Sequence, residues 1–149
     1  GSATAGSARL DAVISNTDTG ILMESGGGGQ GLLVYVHAGV LYFQCGSGSA
    51  FGTSADTAEI AYTLPTGEFN YLVEWSAKTT NAALYINAVK VGSQAFSNSV
   101  ISGGGVATVG QVNETVAVNR GGWTSDAQGA YTNTITKCDI FLNQVTGDL

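Results

Sequence analysis

The sequence predicts an all-β chain folded as a two-sheet antiparallel sandwich of the jelly-roll kind, and three observations carry that prediction. Apolar residues alternate at period two in short runs, clusters of Gly, Ser, Asn and Thr punctuate the runs at near-regular spacing, and no stretch repeats its apolar residues at helical spacing. Many short strands with turn signals between them, and no tandem repeat of fixed period, point to a sandwich or barrel.

Taken in order, "ARLDAVIS" places Leu10, Ala12 and Ile14 on one face of a strand. "GILMES" is a second short run, closed by the four glycines at 26–29, which read as a loop. "GLLVYVHAGVLYFQCG" is the clearest hairpin. Leu33, Tyr35 and His37 share one face, Leu32, Val34 and Val36 the other, and Ala38 and Gly39 supply the turn. A strand apolar on both faces belongs inside a two-layer structure rather than on an open sheet. "AEIAYTLPTGEFNYLVEWSA" is two strands about a turn holding the one proline, Pro65, where it removes no ladder hydrogen bond. In its second arm Tyr71, Val73 and Trp75 alternate with Leu72, Glu74 and Ser76, which puts Trp75 in the core. "ALYINAVKVGSQAF" is another hairpin, with Leu84 and Ile86 facing opposite to Tyr85 and a turn at Asn87 and Ala88. The short run "VATVGQV", the polar loop "NRGGWTSDAQGAYTN" and a last apolar strand, "TITKCDIFLNQ", complete the chain.

A chain of 149 residues is long enough for one domain to bury a core. Gly1-Ser2 reads as the remnant of a cleaved expression tag, which leaves 3–149 as a single domain and leaves room for a signal peptide or further domains upstream. Hydrophobic residues make up 44% and charged residues 11%, the reverse of a disordered composition. The net charge is -6, and the five basic residues, Arg9, Lys78, Lys90, Arg120 and Lys137, are scattered. Nucleic acids and anionic membranes, which need clustered cations, are therefore poor partners, and no run approaches the roughly 20 apolar residues of a membrane helix. Cys45 and Cys138 either form one disulfide or stay as two buried thiols. With the single histidine, His37, they cannot complete a zinc site from soft ligands.

Three stretches together resemble the concanavalin A-like lectin and glucanase superfamily, and within it the laminin G-like domains. "FNYLVEWSAKTTNAALYINAVKVGSQ" is similar to that family's striped strand followed by a tight hairpin, here "LYINAVKVGS". "VATVGQV" sits where such domains carry a short strand, and "TNTITKCDIFLNQVTGDL" resembles the closing strand that returns beside the start of the chain. "GILMESGGGGQGLLVYVHAGVLYFQCG" extends the likeness over most of the sequence. Where the family has Asp-Gly or Asn-Gly, this chain has Asn87-Ala88; a type I′ turn there strains Ala88 by about 1 kcal/mol.

The resemblance implies a binding module of a larger extracellular or virion-surface protein, engaged with a glycan or a cell-surface receptor and with other domains of its parent; copies of itself, in a homo-oligomer, are a further candidate partner. The glucanase members' run of two glutamates and an aspartate on one strand is missing, and Glu74 stands alone on its strand, although a retaining glycosidase needs a second carboxyl within about 5.5 Å. Lyase-like members use His, Tyr, Arg and Gln. Tyr35 and His37 share a strand face here, but the Arg and Gln motifs do not accompany them. No catalytic residue is expected. In the loop 119–131, Asn119, Arg120, Trp123, Asp126 and Tyr131 combine aromatic faces that stack on a sugar ring with groups that bond its hydroxyls. Read structurally, Trp123 plugs the sandwich edge while Asn119 and Asp126 satisfy turn backbone. Relatives of the resembled family also bind calcium through loop oxygens, for which Asp56, Asn119 and Asp126 are the candidates here, with Asp18 a further one. The alternative to binding is a structural or decoration domain of a phage virion.

Overall fold

The structure, a computed structural model, describes residues 5–27, 30–47, 57–78, 80–97, 107–110 and 130–142. These form ten strands: β1 (Ala5–Ser15), β2 (Gly20–Gly27), β3 (Gln30–His37), β4 (Val40–Ser47), β5 (Thr57–Thr63), β6 (Glu68–Lys78), β7 (Asn81–Ile86), β8 (Val89–Ala95), β9 (Ala107–Val109) and β10 (Ile135–Leu142). They are arranged as two five-stranded sheets, in the orders β10-β1-β6-β7-β8 and β5-β4-β3-β2-β9, with every pairing antiparallel. The predicted sandwich is present, and the last strand lies against the first from Gly6↔Leu142 to Ala12↔Ile135.

The alternation read from the sequence sets which side chains meet between the layers. From the first sheet come Leu10, Ala12, Ile14, Tyr71, Val73, Trp75, Leu84 and Ile86; from the second, Leu32, Val34, Val36, Leu41, Phe43 and Cys45. Trp75 and Phe43 stack across the gap with ring centroids 5.2 Å apart, one aromatic from each layer. Burial of this apolar surface is the main stabilising contribution, at about 25 cal/mol for each Å² removed from water.

Turn chemistry fixes the registers. Ala38 and Gly39, at φ 50° and 78°, and Asn87 and Ala88, at 51° and 65°, each have positive φ at both central positions, which is the signature of a type I′ hairpin. The Ala-for-Gly departure at 88 is thus accommodated as strain rather than by another turn type. One detail differs from the sequence reading, and the cysteines take one of its two alternatives. Gly26 and Gly27 pair with Gly31 and Gln30 as part of β2, so half of the glycine run is strand. A glycine still carries a donor and an acceptor, and the ladder uses them. Cys45 and Cys138 are both free; Cys45 is buried in the second sheet and Cys138 is half-buried on β10.

Candidate functional site

One end of the sandwich gathers the turns β1–β2, β3–β4 and β5–β6 with residues 110 and 131–134. Cross-strand backbone bonds tie these together: Asn16 N–H to Gly67 O at 3.3 Å, Leu64 N–H to Gly39 O at 2.9 Å, Tyr131 N–H to Gly110 O at 3.1 Å and Val13 N–H to Thr134 O at 2.9 Å. Asn16 Oδ1 also accepts from the Gly67 N–H at 2.9 Å. The rim is therefore a fixed surface rather than a set of independent loops.

At its centre is Asp18. Its Oδ2 accepts from the Ser15 N–H at 2.8 Å, closing the β1–β2 turn, and from Asn133 Nδ2 at 3.1 Å. Asn133 Nδ2 also donates to Glu68 Oε2 at 2.9 Å, so one amide bridges two carboxylates. The Tyr131 hydroxyl donates to the Val13 carbonyl at 2.6 Å and lies 2.7 Å from Asp18 Oδ2. Burial, and then the Asp18 carboxylate, push this phenol well above the ordinary tyrosine range, so it stays protonated. Phe69, beside Glu68 on β6, is 47% exposed and lies edge-on to Tyr71. The rim thus presents carboxylate and amide groups beside an accessible aromatic ring.

Next to this network, between the edges of β9 and β10, is a cleft of about 380 Å³ lined by Val109, Gly110, Tyr131, Asn133, Ile135, Thr136, Lys137 and Cys138. Its size falls within the range of small-ligand sites, roughly 300–1,000 Å³.

Of the residues that the sequence singled out, the structure places Tyr131 here, with its ring in the main core cluster and its hydroxyl engaged inside the chain. It brings Asp18 to the same place. Asn119, Arg120, Trp123 and Asp126, and with them Asp56, lie outside the described residues. Among the described residues no group of three or more His, Cys, Asp or Glu side chains is arranged to hold a metal ion. Glu74 faces Arg9 across the β1–β6 pair, its Oε1 3.8 Å from Arg9 Nε, which gives it a structural partner on the surface.

The cleft residues Lys137 and Cys138 entered the sequence reading only as a scattered cation and as a disulfide or buried-thiol candidate, and Asn133 and Glu68 were not singled out in the sequence. Nor was a second buried cluster, on the face of the second sheet turned away from the first, where Ile21, Leu33 and Tyr35 pack with Tyr42. Tyr35 and Tyr42 stack there at 4.7 Å, and Gln44 Nε2 donates to Tyr35 Oη at 3.2 Å and to Glu59 Oε2. The hairpin turn fixes the register that makes these pairs, Tyr35↔Tyr42 and Leu33↔Gln44. Counting outward from Ala38 and Gly39 is the signal that reveals them. Tyr35 has 0% exposure, so its hydroxyl is closed off from any substrate as the chain is folded.

No family model matches the chain. No curated protein matches it in sequence. Solved structures do resemble it. The botulinum neurotoxin type G receptor binding domain superposes with a TM-score of 0.65 at 9% identity, over 97% of this chain and 36% of that one. The binding domain of botulinum neurotoxin DC in complex with SialylT gives 0.60 at 10% identity, over 93% and 32%. The same domain in complex with rat synaptotagmin II gives 0.59 at 9% identity, over 93% and 32%. The chain spans about a third of the length of each of these. At such identities the likeness is one of fold, a β-sandwich shared with receptor-binding domains.

Proposed function

We propose that this chain is a non-catalytic carbohydrate- or receptor-binding module of a larger extracellular or virion-surface protein. The observation that carries the reading is the likeness of its fold to toxin binding domains, among them one described in complex with SialylT and one with rat synaptotagmin II. The rim around Asp18, Asn133 and Glu68 supports it with groups that bond hydroxyls, and Phe69 with a ring face on which a sugar can stack. Laminin G-like membership belongs to this proposal, and so does a binding surface that continues into Asn119, Arg120, Trp123 and Asp126. Calcium held by Asp56, Asn119 and Asp126 is the cofactor to test, because hard loop oxygens are its usual ligands.

A glycan array probed with calcium and again with chelator tests the reading. Binding to a defined set of glycans is the expected result, and loss of that binding in chelator would assign calcium a role. Trp123→Ala should abolish the binding while leaving the far-UV circular dichroism unchanged. An array without hits under either condition would replace this reading with that of a structural or decoration domain.

A further inference from the structure

The two sheets meet differently along their two long sides. Between β5 and β8 the seam is stitched: the Glu59 N–H donates to Gln94 Oε1 at 2.9 Å, and a Cβ at Gly92 would stand only 2.7 Å from Ile60 Cγ2. On the other side β9 has three residues, while β10 presents eight whose outer edge pairs with nothing among the described residues. Beyond an irregularity at Thr136 the strand runs regularly over 137–142 without Pro or Gly, and such an edge is a template for another strand. The opposite edge of the same sheet, β8, is broken by an irregularity and by Gly92.

We propose that β10 pairs antiparallel with β10 of a second copy of this chain about a two-fold axis at Cys138, joining two five-stranded sheets into one. The side-chain order is self-complementary in that register. Lys137 stands opposite Asp139 of the second copy, twice by symmetry. Within one copy Lys137 Nζ and Asp139 Oδ2 are 2.9 Å apart but both are exposed, an arrangement worth little in water, and β1 sets Asp11 opposite Lys137 and Arg9 opposite Asp139; across the interface each gains a second cross-strand partner of opposite charge. Moving the axis one residue either way sets Lys137 against Lys137 or Asp139 against Asp139, which like-charge repulsion disfavours. The register is therefore selected as well as permitted. The inference rests on the fold alone and stands or falls independently of glycan binding.

Opposed residues of an antiparallel pair have Cα atoms about 4.5 or 5.5 Å apart, inside the span of a disulfide. Cys138 therefore reports on the interface. Cys45 is silent, because it is fully buried and burial pushes its thiol far above the usual range. The test combines sedimentation over a concentration series with copper(II)-phenanthroline oxidation, in which two thiols yield one disulfide and give two protons and two electrons to the reagent. The expected result is a dimer, trapped as a covalent species that Cys138→Ser removes and Cys45→Ser retains. Asp139→Lys should weaken dimerisation at least tenfold, and an equimolar mixture of Asp139→Lys with Lys137→Asp should restore it as a heterodimer, in which both interface pairs are again of opposite charge; that separates lost pairing from lost folding. A monomer at every concentration with no Cys138 cross-link, or a dimer indifferent to Asp139→Lys, would overturn the proposal.

Discussion

Ala88 carries strain in the clearest form. It sits at φ 65°, a region that costs an L-residue about 1–2 kcal/mol, whereas glycine enters it freely. Ala88→Gly should therefore stabilise the fold, by about 0.5–1 kcal/mol once the added freedom of the unfolded chain is subtracted, read as a higher urea midpoint with unchanged slope. Tyr131 is the opposite case, a side chain whose polar end is fully used. Tyr131→Phe removes the bond to the Val13 carbonyl and the contact with Asp18, and should cost about 1–3 kcal/mol. The same residue sets a pH dependence. Its phenol keeps its proton in the folded state at pH values where the unfolded chain, titrating near 10, has lost it, so stability falls as the pH rises above about 10. Tyr71, raised first by burial and then by Tyr62, adds in the same direction. Alkaline unfolding of Tyr131→Phe should accordingly be shallower than that of the parent, and an unchanged pH profile would contradict this account of the network.

At the scale of elements, what could be read from the sequence depended on distance along the chain. Both hairpins were visible in Ala38-Gly39 and Asn87-Ala88, because the turn and the alternation on either side of it are local signals, while the type I′ geometry is read from the backbone angles. The rim network was not visible, since it joins residues separated by 113, 115 and 65 positions and no local pattern announces such pairings. The second cluster around Tyr35 was half visible: a strand apolar on both faces implied cover on both sides, but not which polar groups would sit beneath it. Gly20 shows how tightly the elements are fitted. At φ +134°, a Cβ there would lie 2.7 Å from the Ala130 carbonyl oxygen and 2.9 Å from Tyr131 Cα, both backbone atoms that cannot rotate away. Gly20→Ala should displace 130–134 from β2 and cost more than the roughly 1–3 kcal/mol of an ordinary overpacked site. Loss of amide protection at Tyr131 in hydrogen exchange, ahead of global unfolding, would mark that displacement.

For the whole molecule, the sandwich and the return of β10 to β1 were predicted, the second of these from family resemblance, because a pairing such as Gly6↔Leu142 spans nearly the whole chain. Composition assigned the binding residues to a polar loop, and composition does not say where a loop lies; four of its five candidates fall outside the described residues. What the fold adds is a described end, where turns of both sheets are bonded into one surface, and a long side where the outer edge of β10 has no strand partner among the described residues. If two copies join along that side, each dimer carries two such rims, and paired sites raise avidity without any new contact to ligand. The most direct test of the binding role is amide chemical-shift mapping of the ¹⁵N-labelled protein titrated with a panel of oligosaccharides, sialylated ones included. The account predicts saturable shifts concentrated at Asp18, Glu68, Phe69, Tyr131 and Asn133 and within 119–126. Shifts centred on the β5–β8 side, or none with any oligosaccharide at millimolar concentration, would contradict it.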